Sequence, residues 1–198
     1  MSSKLDDLHK RITRCDRCKL RADCTQVVPG IGPTKARVMF FAEAPGAKED
    51  TEGIPLVGRS GQLFRRALAG ARIKVGDVYL SNIVRCRPPD NRDPLPDEIE
   101  ACWNWTAETL NLIRPRIVVP MGRPALFTMA YKLGFNKKVG QNPITKLAGK
   151  PIFVAERNFY CYPMFHPSYA ARRRDVRSTF VAHMKYLGEA IPGWLERT

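Results

Sequence analysis

The residues with the plainest chemistry in this chain are three polar side chains at the ends of apolar runs, together with a set of cysteines. Glu43 follows Arg37-Val38-Met39-Phe40-Phe41-Ala42 and opens a Gly/Pro-rich turn that runs through Ala44-Pro45-Gly46 to Glu49-Asp50. Successive backbone N–H groups in such a turn can cradle an anion or the edge of a base. Asn82 ends the run Val78-Tyr79-Leu80-Ser81. Its amide sets a donor beside an acceptor, as does the Watson–Crick edge of a pyrimidine. His166 follows Met164-Phe165 and precedes Pro167-Ser168-Tyr169. An imidazole there can donate to a carbonyl oxygen that gains negative charge during a reaction. Each of the three also has an ordinary structural use: a tight connection with exposed acids, a buried Asn that ties a loop, or a histidine that holds a turn.

The six cysteines fall at positions 15, 18, 24, 86, 102 and 161. Cys15 and Cys18 form a C-x-x-C pair, and Cys86 and Cys102 have fifteen residues between them. Four thiolates can bind zinc or a [4Fe–4S] cluster. Zinc sites more often use two tight pairs, and the second pair here is wide, but spacing alone leaves zinc, a cluster and unrelated cysteines all open. Cys161 sits in an apolar run and reads as a small core residue. Cys24 has no assignment.

The elements that must position these groups follow from pattern. Leu5, Leu8 and Ile12 recur at helical spacing ahead of Cys15, with Ser2 and Ser3 as candidate caps. Residues 37–42, 78–83, 117–121 and 159–164 read as buried strands. Helices are predicted over 62–72, from Pro96 to about Leu112, from about Pro124 to Leu133, and over 176–190. Pro96 suits a first helical turn, and Asp97 and Glu98 favour its dipole. Residues 43–61 are expected to be a long loop, and 134–150 resist assignment. Strands alternating with helices predict an α/β domain with a mostly parallel sheet covered on both faces. Glu43, Asn82 and His166 then lie at the C-terminal ends of three strands, the edge where open α/β sheets bind ligands.

Bulk properties narrow the class. With 198 residues, 44% hydrophobic and 26% charged, the chain suits one domain over residues 1–198. No apolar run approaches the ~20 residues of a membrane span. The N-terminus has no apolar signal-peptide core, so a cytoplasmic protein is expected. Thirty-three Lys and Arg against nineteen Asp and Glu give a net charge of +14, which points to a nucleic-acid partner. The basic run Arg172-Arg173-Arg174 and Arg177, beside Ser168 and Tyr169, suits a loop that meets a DNA groove and its phosphates.

Taken in order, these segments resemble the iron–sulfur uracil-DNA glycosylases known as family 4, over nearly the whole chain from Cys15 to the last helix. The carriers are the cysteine pattern, Glu43-Ala44-Pro45-Gly46 followed by Glu49-Asp50, Pro55-Leu56-Val57-Gly58-Arg59-Ser60-Gly61-Gln62-Leu63, Asn82-Ile83-Val84-Arg85-Cys86-Arg87-Pro88-Pro89, and His166-Pro167-Ser168-Tyr169. The resemblance implies a three-layer α/β/α fold and an enzyme that flips uracil out of DNA and hydrolyses its N-glycosidic bond, leaving an abasic site. It implies a structural [4Fe–4S] cluster on Cys15, Cys18, Cys86 and Cys102. Asn82 would read uracil N3–H and O4 and reject cytosine. His166 would donate to O2 and stabilise the departing uracil anion, and Glu43 would organise the pocket or the attacking water. Glu49 and Asn91 match positions with supporting catalytic roles. Ala44, Gly46, Leu56 and Ser168 would enclose the base, and Tyr169, Arg172 and Arg173 would contact DNA. The partner is uracil-containing DNA, with no membrane, and a monomer is expected.

Two departures are visible. The family commonly places an aromatic ring where this chain has Leu56, so Phe64, Phe165 or another ring would have to stack on the base. No Asp follows Glu43, so leaving-group stabilisation is expected to carry much of the rate. Rival readings are a superfamily relative with another deaminated-base specificity and a non-catalytic iron–sulfur protein that binds nucleic acid or passes electrons. Covalent capture of abasic DNA is disfavoured, because Asp90-Asn91-Arg92-Asp93-Pro94-Leu95 is short and has no His.

Overall fold

The computed structural model describes residues 3–197. Helix α1 (Lys4–Thr13) opens on a capping box in which Ser3 and Asp6 bond each other's backbone amides. Ser2, the other candidate cap, lies outside the described residues. A short turn, α2 (Leu20–Asp23), follows the C-x-x-C pair. Then come β1 (Val38–Ala42), α3 (Ala47–Glu52), α4 (Arg59–Gly70), β2 (Val78–Asn82), α5 (Pro96–Ile113), β3 (Ile117–Pro120) and α6 (Arg123–Lys132). The short helices α7 (Asn136–Val139) and α8 (Ile144–Leu147), strands β4 (Ile152–Val154) and β5 (Phe159–Cys161), and helices α9 (Pro167–Arg172) and α10 (Arg174–Glu196) complete the order.

The strands form one sheet in the order β2-β1-β3-β5-β4. β2, β1, β3 and β5 run parallel, and β4 closes the edge antiparallel to β5. Strands β1 and β2 are buried at every position, so β1 is continuously apolar and β2 is apolar up to Ser81 and Asn82 at its end, without alternation. Their side chains still divide by face. Met39 and Phe41 join a core with Leu8 and Ile12 of α1, Trp105 of α5 and Leu126 of α6. Val38, Phe40 and Ala42 join a second core with Phe64 of α4 and Phe180, Met184 and Leu187 of α10. The sheet is therefore the middle of three layers, as predicted.

Several local expectations are corrected. Residues 43–61 are not one loop: they contain α3, and α4 begins at Arg59 rather than Gln62. Residues 134–150 hold α7 and α8. The strand expected over 159–164 stops at Cys161, although Met164 still bridges Met121 in parallel. The last helix extends to Glu196.

Candidate active site

A cleft of about 540 Å³ opens at the C-terminal edge of the sheet. It is lined by Glu43, Ala44 and Gly46 after β1, Glu49 of α3, Leu56, Asn82 at the end of β2, Asn91, and His166, Ser168, Tyr169 and Arg172 around α9. The register Ala42↔Asn82 between β1 and β2 fixes Glu43 and Asn82 at neighbouring strand ends. All five residues expected to act in catalysis and all four expected to enclose the base line this one cavity. Of the expected DNA contacts, Tyr169 and Arg172 line it and Arg173 does not. Arg173 is exposed beyond the rim, paired with Asp175 at 3.3 Å, its guanidinium 5.9 Å from the Tyr169 ring centre.

Asn82 is 2% exposed, and its Nδ2 has no hydrogen-bond partner. A buried amide without a partner costs about 1–3 kcal/mol, so a native fold keeps one where a ligand completes it. Glu43 Oε1 is unpartnered in the same way. Burial, and then the facing carboxylate of Asp93, push the Glu43 carboxyl up from its ordinary value to about 7. Asp93 also lines the cleft. It sits in a proline-broken stretch rich in charged residues, where nothing in its spacing separates a site acid from a solvated one.

His166 is the N-cap of α9. The Ser168 amide donates to its Nδ1 at 3.2 Å, and the Ser168 hydroxyl lies 2.7 Å from the same nitrogen. An Nδ1 that accepts from an amide carries no proton, so the ring's proton is on Nε2. Burial, aided by the Arg172 charge and opposed by Glu49, holds the imidazole down at about 4. The ring is therefore neutral at physiological pH, with one N–H to offer. Gly122, at φ +92°, lies against it, and a Cβ there would stand 3.2 Å from His166 Cβ.

Glu49 is buried, and its Oε1 accepts from the amides of Val57 at 3.0 Å and Gly58 at 2.9 Å. It thus ties down the segment that carries Leu56. Leu56 is 4% exposed with φ +56°, a left-handed conformation uncommon outside glycine. Asn91 Oδ1 accepts from Arg87 Nε at 2.9 Å. Arg92 grips the buried Glu98 carboxylate through two bonds of 2.8 and 2.6 Å and so fixes the loop that presents Asp93. Of the candidate substitutes for an aromatic at position 56, Phe64 is committed to the core, edge-on to Phe40 at 5.0 Å. Phe165 lines the cleft.

Cys15, Cys18, Cys86 and Cys102 line a second, much smaller cavity on the α1/α5 face. Trp105 Nε1–H donates to Cys15 Sγ at 3.1 Å, and the Arg85 amide donates to Cys102 Sγ at 3.3 Å. Among the described residues no three His, Cys, Asp or Glu side chains surround a single ion's position. The four cysteines instead share the lining of that cavity, and they are set there by the α1–α2 connection, by the chain after β2 and by α5. Cys161 is fully buried in β5, as a small core residue should be. Cys24 is buried beside Cys86. No helix among the described residues is long and apolar enough to cross a membrane.

Similarity to known proteins extends over most of the chain. The family model for the uracil DNA glycosylase superfamily matches residues 29–187. The type-4 uracil-DNA glycosylase of Pyrobaculum aerophilum is 42% identical over 98% of this chain and 96% of its own. That of Archaeoglobus fulgidus is 36% identical over 93% and 92%. That of Thermotoga maritima is 38% identical over 86% and 85%. The chain belongs to the uracil DNA glycosylase superfamily, in its type-4 branch.

Proposed function

We propose that this protein is a uracil-DNA glycosylase of base-excision repair: it receives an extruded uracil in the cleft and hydrolyses the N-glycosidic bond, leaving an abasic site. The observation that carries the reading is the unpartnered, buried Asn82 amide facing the cleft. Its Nδ2–H₂ donates to uracil O4 and its Oδ1 accepts from N3–H. Cytosine offers a donor and an acceptor in the reverse places, which would leave buried groups unpaired on both sides.

As the bond between N1 and the sugar breaks, its electron pair leaves with the uracil ring and spreads onto O2 and O4. The neutral His166 donates its Nε2–H to O2, where that charge grows. Water adds to the electron-poor sugar carbon, and Glu43, in its ionised form, takes the water's proton. A carboxyl near 7 is matched to that task at neutral pH. Leu56 and Phe165 supply the apolar walls. Tyr169, Arg172 and Arg173 meet the DNA backbone, and the net charge of +14 adds a sequence-independent attraction.

Four thiols around one cavity fit a [4Fe–4S] cluster held by Cys15, Cys18, Cys86 and Cys102. When bound, it cross-links the N-terminal segment to the chain after β2 and to α5. Iron and acid-labile sulfide in the purified protein, both lost in Cys86→Ala, would support this. Zinc without sulfide would replace the cluster with a mononuclear site.

The deciding experiment uses end-labelled oligonucleotides with one U·G pair, one U·A pair or a single-stranded U, followed by alkali. Cleavage at uracil that disappears in Asn82→Ala is expected. Cleavage only at hypoxanthine, xanthine or thymine would keep the chemistry and move the specificity. No cleavage at any base, with tight DNA binding, would overturn the enzyme reading.

A further inference from the structure

Arg85 is the bulkiest fully buried side chain among the described residues, at 1% exposed. Its guanidinium donates through Nη1 to Ser81 Oγ and, at 2.6 Å, to the Asn82 carbonyl, and through Nη2 to Thr106 Oγ1 at 3.4 Å. Its Nε has no partner. Every one of these acceptors is neutral. No carboxylate among the described residues forms an ion pair with it. An uncompensated cation is among the least favourable groups a core can hold, so a buried negative charge must stand nearby.

Among the described residues, the cysteine cavity is placed to supply it. Arg85 lines that cavity with Cys15, Cys18, Cys86 and Cys102. Its own amide donates to Cys102 Sγ. Four thiolates outweigh the positive charge of a [4Fe–4S] core, so the assembled group is anionic. The structure assigns Arg85 as the buried counter-charge of the cluster and, through its bond to the Asn82 carbonyl, as the positioning residue that ties the base-reading amide to it. This rests on the cluster reading of the four cysteines.

Charge and geometry separate by substitution in the full-length holoprotein, with the reduction potential of the cluster's one-electron couple measured by protein-film voltammetry. A positive charge favours the more reduced, more anionic form. Arg85→Met is therefore expected to lower the potential by at least the equivalent of a tenfold change in the reduced-to-oxidised ratio, about 59 mV for one electron. Arg85→Lys keeps the charge and should keep the potential. A point ammonium cannot hold Ser81 and Asn82 as a planar fork does, so single-turnover uracil excision should slow about tenfold with DNA affinity unchanged. An unchanged potential in Arg85→Met overturns the counter-charge role. Wild-type excision in Arg85→Lys overturns the positioning role. Should Arg85→Met yield no folded protein, the comparison passes to Arg85→Lys and Arg85→Gln: iron and sulfide retained in the first and lost in the second support the proposal, and equal retention or equal loss overturns it. A wild-type protein without iron and sulfide sinks the cluster reading and this inference together, and is seen before any variant is made.

Discussion

The cleft and the cysteine cavity are supplied by the same stretch of chain, Asn82 to Cys86, yet their polar groups are finished to different degrees. At the cleft, Asn82 Nδ2 and Glu43 Oε1 are left without partners. Around the cysteines, Cys15 and Cys102 already receive N–H donors, the apolar side chains of Leu20, Val27 and Val84 help to close the space, and what is left without a partner is Nε of the Arg85 cation. The first arrangement suits a visitor that must enter, be read and leave. The second suits a permanent resident whose negative charge would face that cation. The difference teaches that a functional cavity can be sorted by what it leaves unsatisfied, not only by its size.

That contrast can be broken at its strongest point first. Asn82→Ala removes the unsatisfied amide and should lower excision by about 10²–10³-fold or more, since a site built to pair polar groups loses most when one is missing. DNA affinity by titration should stay close to wild type. Near-full excision would end the claim that the amide reads the base. His166→Ala should slow single-turnover cleavage by about 10²–10³-fold with a smaller effect on binding.

The unsatisfied carboxyl gives the next effect. The proposed mechanism needs Glu43 ionised, and burial and Asp93 raise its carboxyl to about 7. The rate should therefore climb between about pH 6 and 8 and then level off. His166, titrating near 4, stays neutral across that range and adds no inflection. Asp93→Asn removes the like charge and should move the climb to lower pH. A profile that Asp93→Asn does not move would separate the two acids. Leu56→Phe should tighten uracil binding by roughly tenfold if a ring at that wall stacks on the base, at about 1–3 kcal/mol. A weaker complex would mean that the left-handed backbone there leaves a ring no room. The smallest effect is expected from Arg173→Ala. It should weaken DNA binding a few-fold and reduce the salt slope by about one, because this side chain stands outside the cleft and is shared with Asp175.

How far the sequence revealed this arrangement depended on how each residue is carried. Asn82 and His166 were legible because polar residues ending apolar runs stand out against their surroundings, and the parallel topology gathers strand ends on one edge. The C-x-x-C pair stood out by spacing, but only the family resemblance separated Cys86 and Cys102 from Cys24 and Cys161. Asp93 was not, since an acid in an exposed proline-rich loop looks the same whether or not a catalytic carboxyl faces it. Arg85 was read as one residue of a longer run, because burial of a cation leaves no trace in spacing. Strand β4 escaped because three residues with mixed exposure carry no period. Helix α3 escaped for a related reason: an alanine and five polar residues between Gly46 and Gly53 look like a turn. The two acids that give that helix its purpose face a backbone that only the fold brings near.

Those two acids are adjacent and do different work. Glu49 holds Val57 and Gly58 next to Leu56 of the cleft wall, and Asp50 accepts from the Thr25 amide at 3.0 Å, just past Cys24. Because successive helical residues point about 100° apart, this single turn grips two distant segments at once, like a rivet through two plates. One residue inserted ahead of it would rotate both carboxylates away together. The turn is therefore fixed in length, and lineages of this protein should record that constraint as an absence of gaps there.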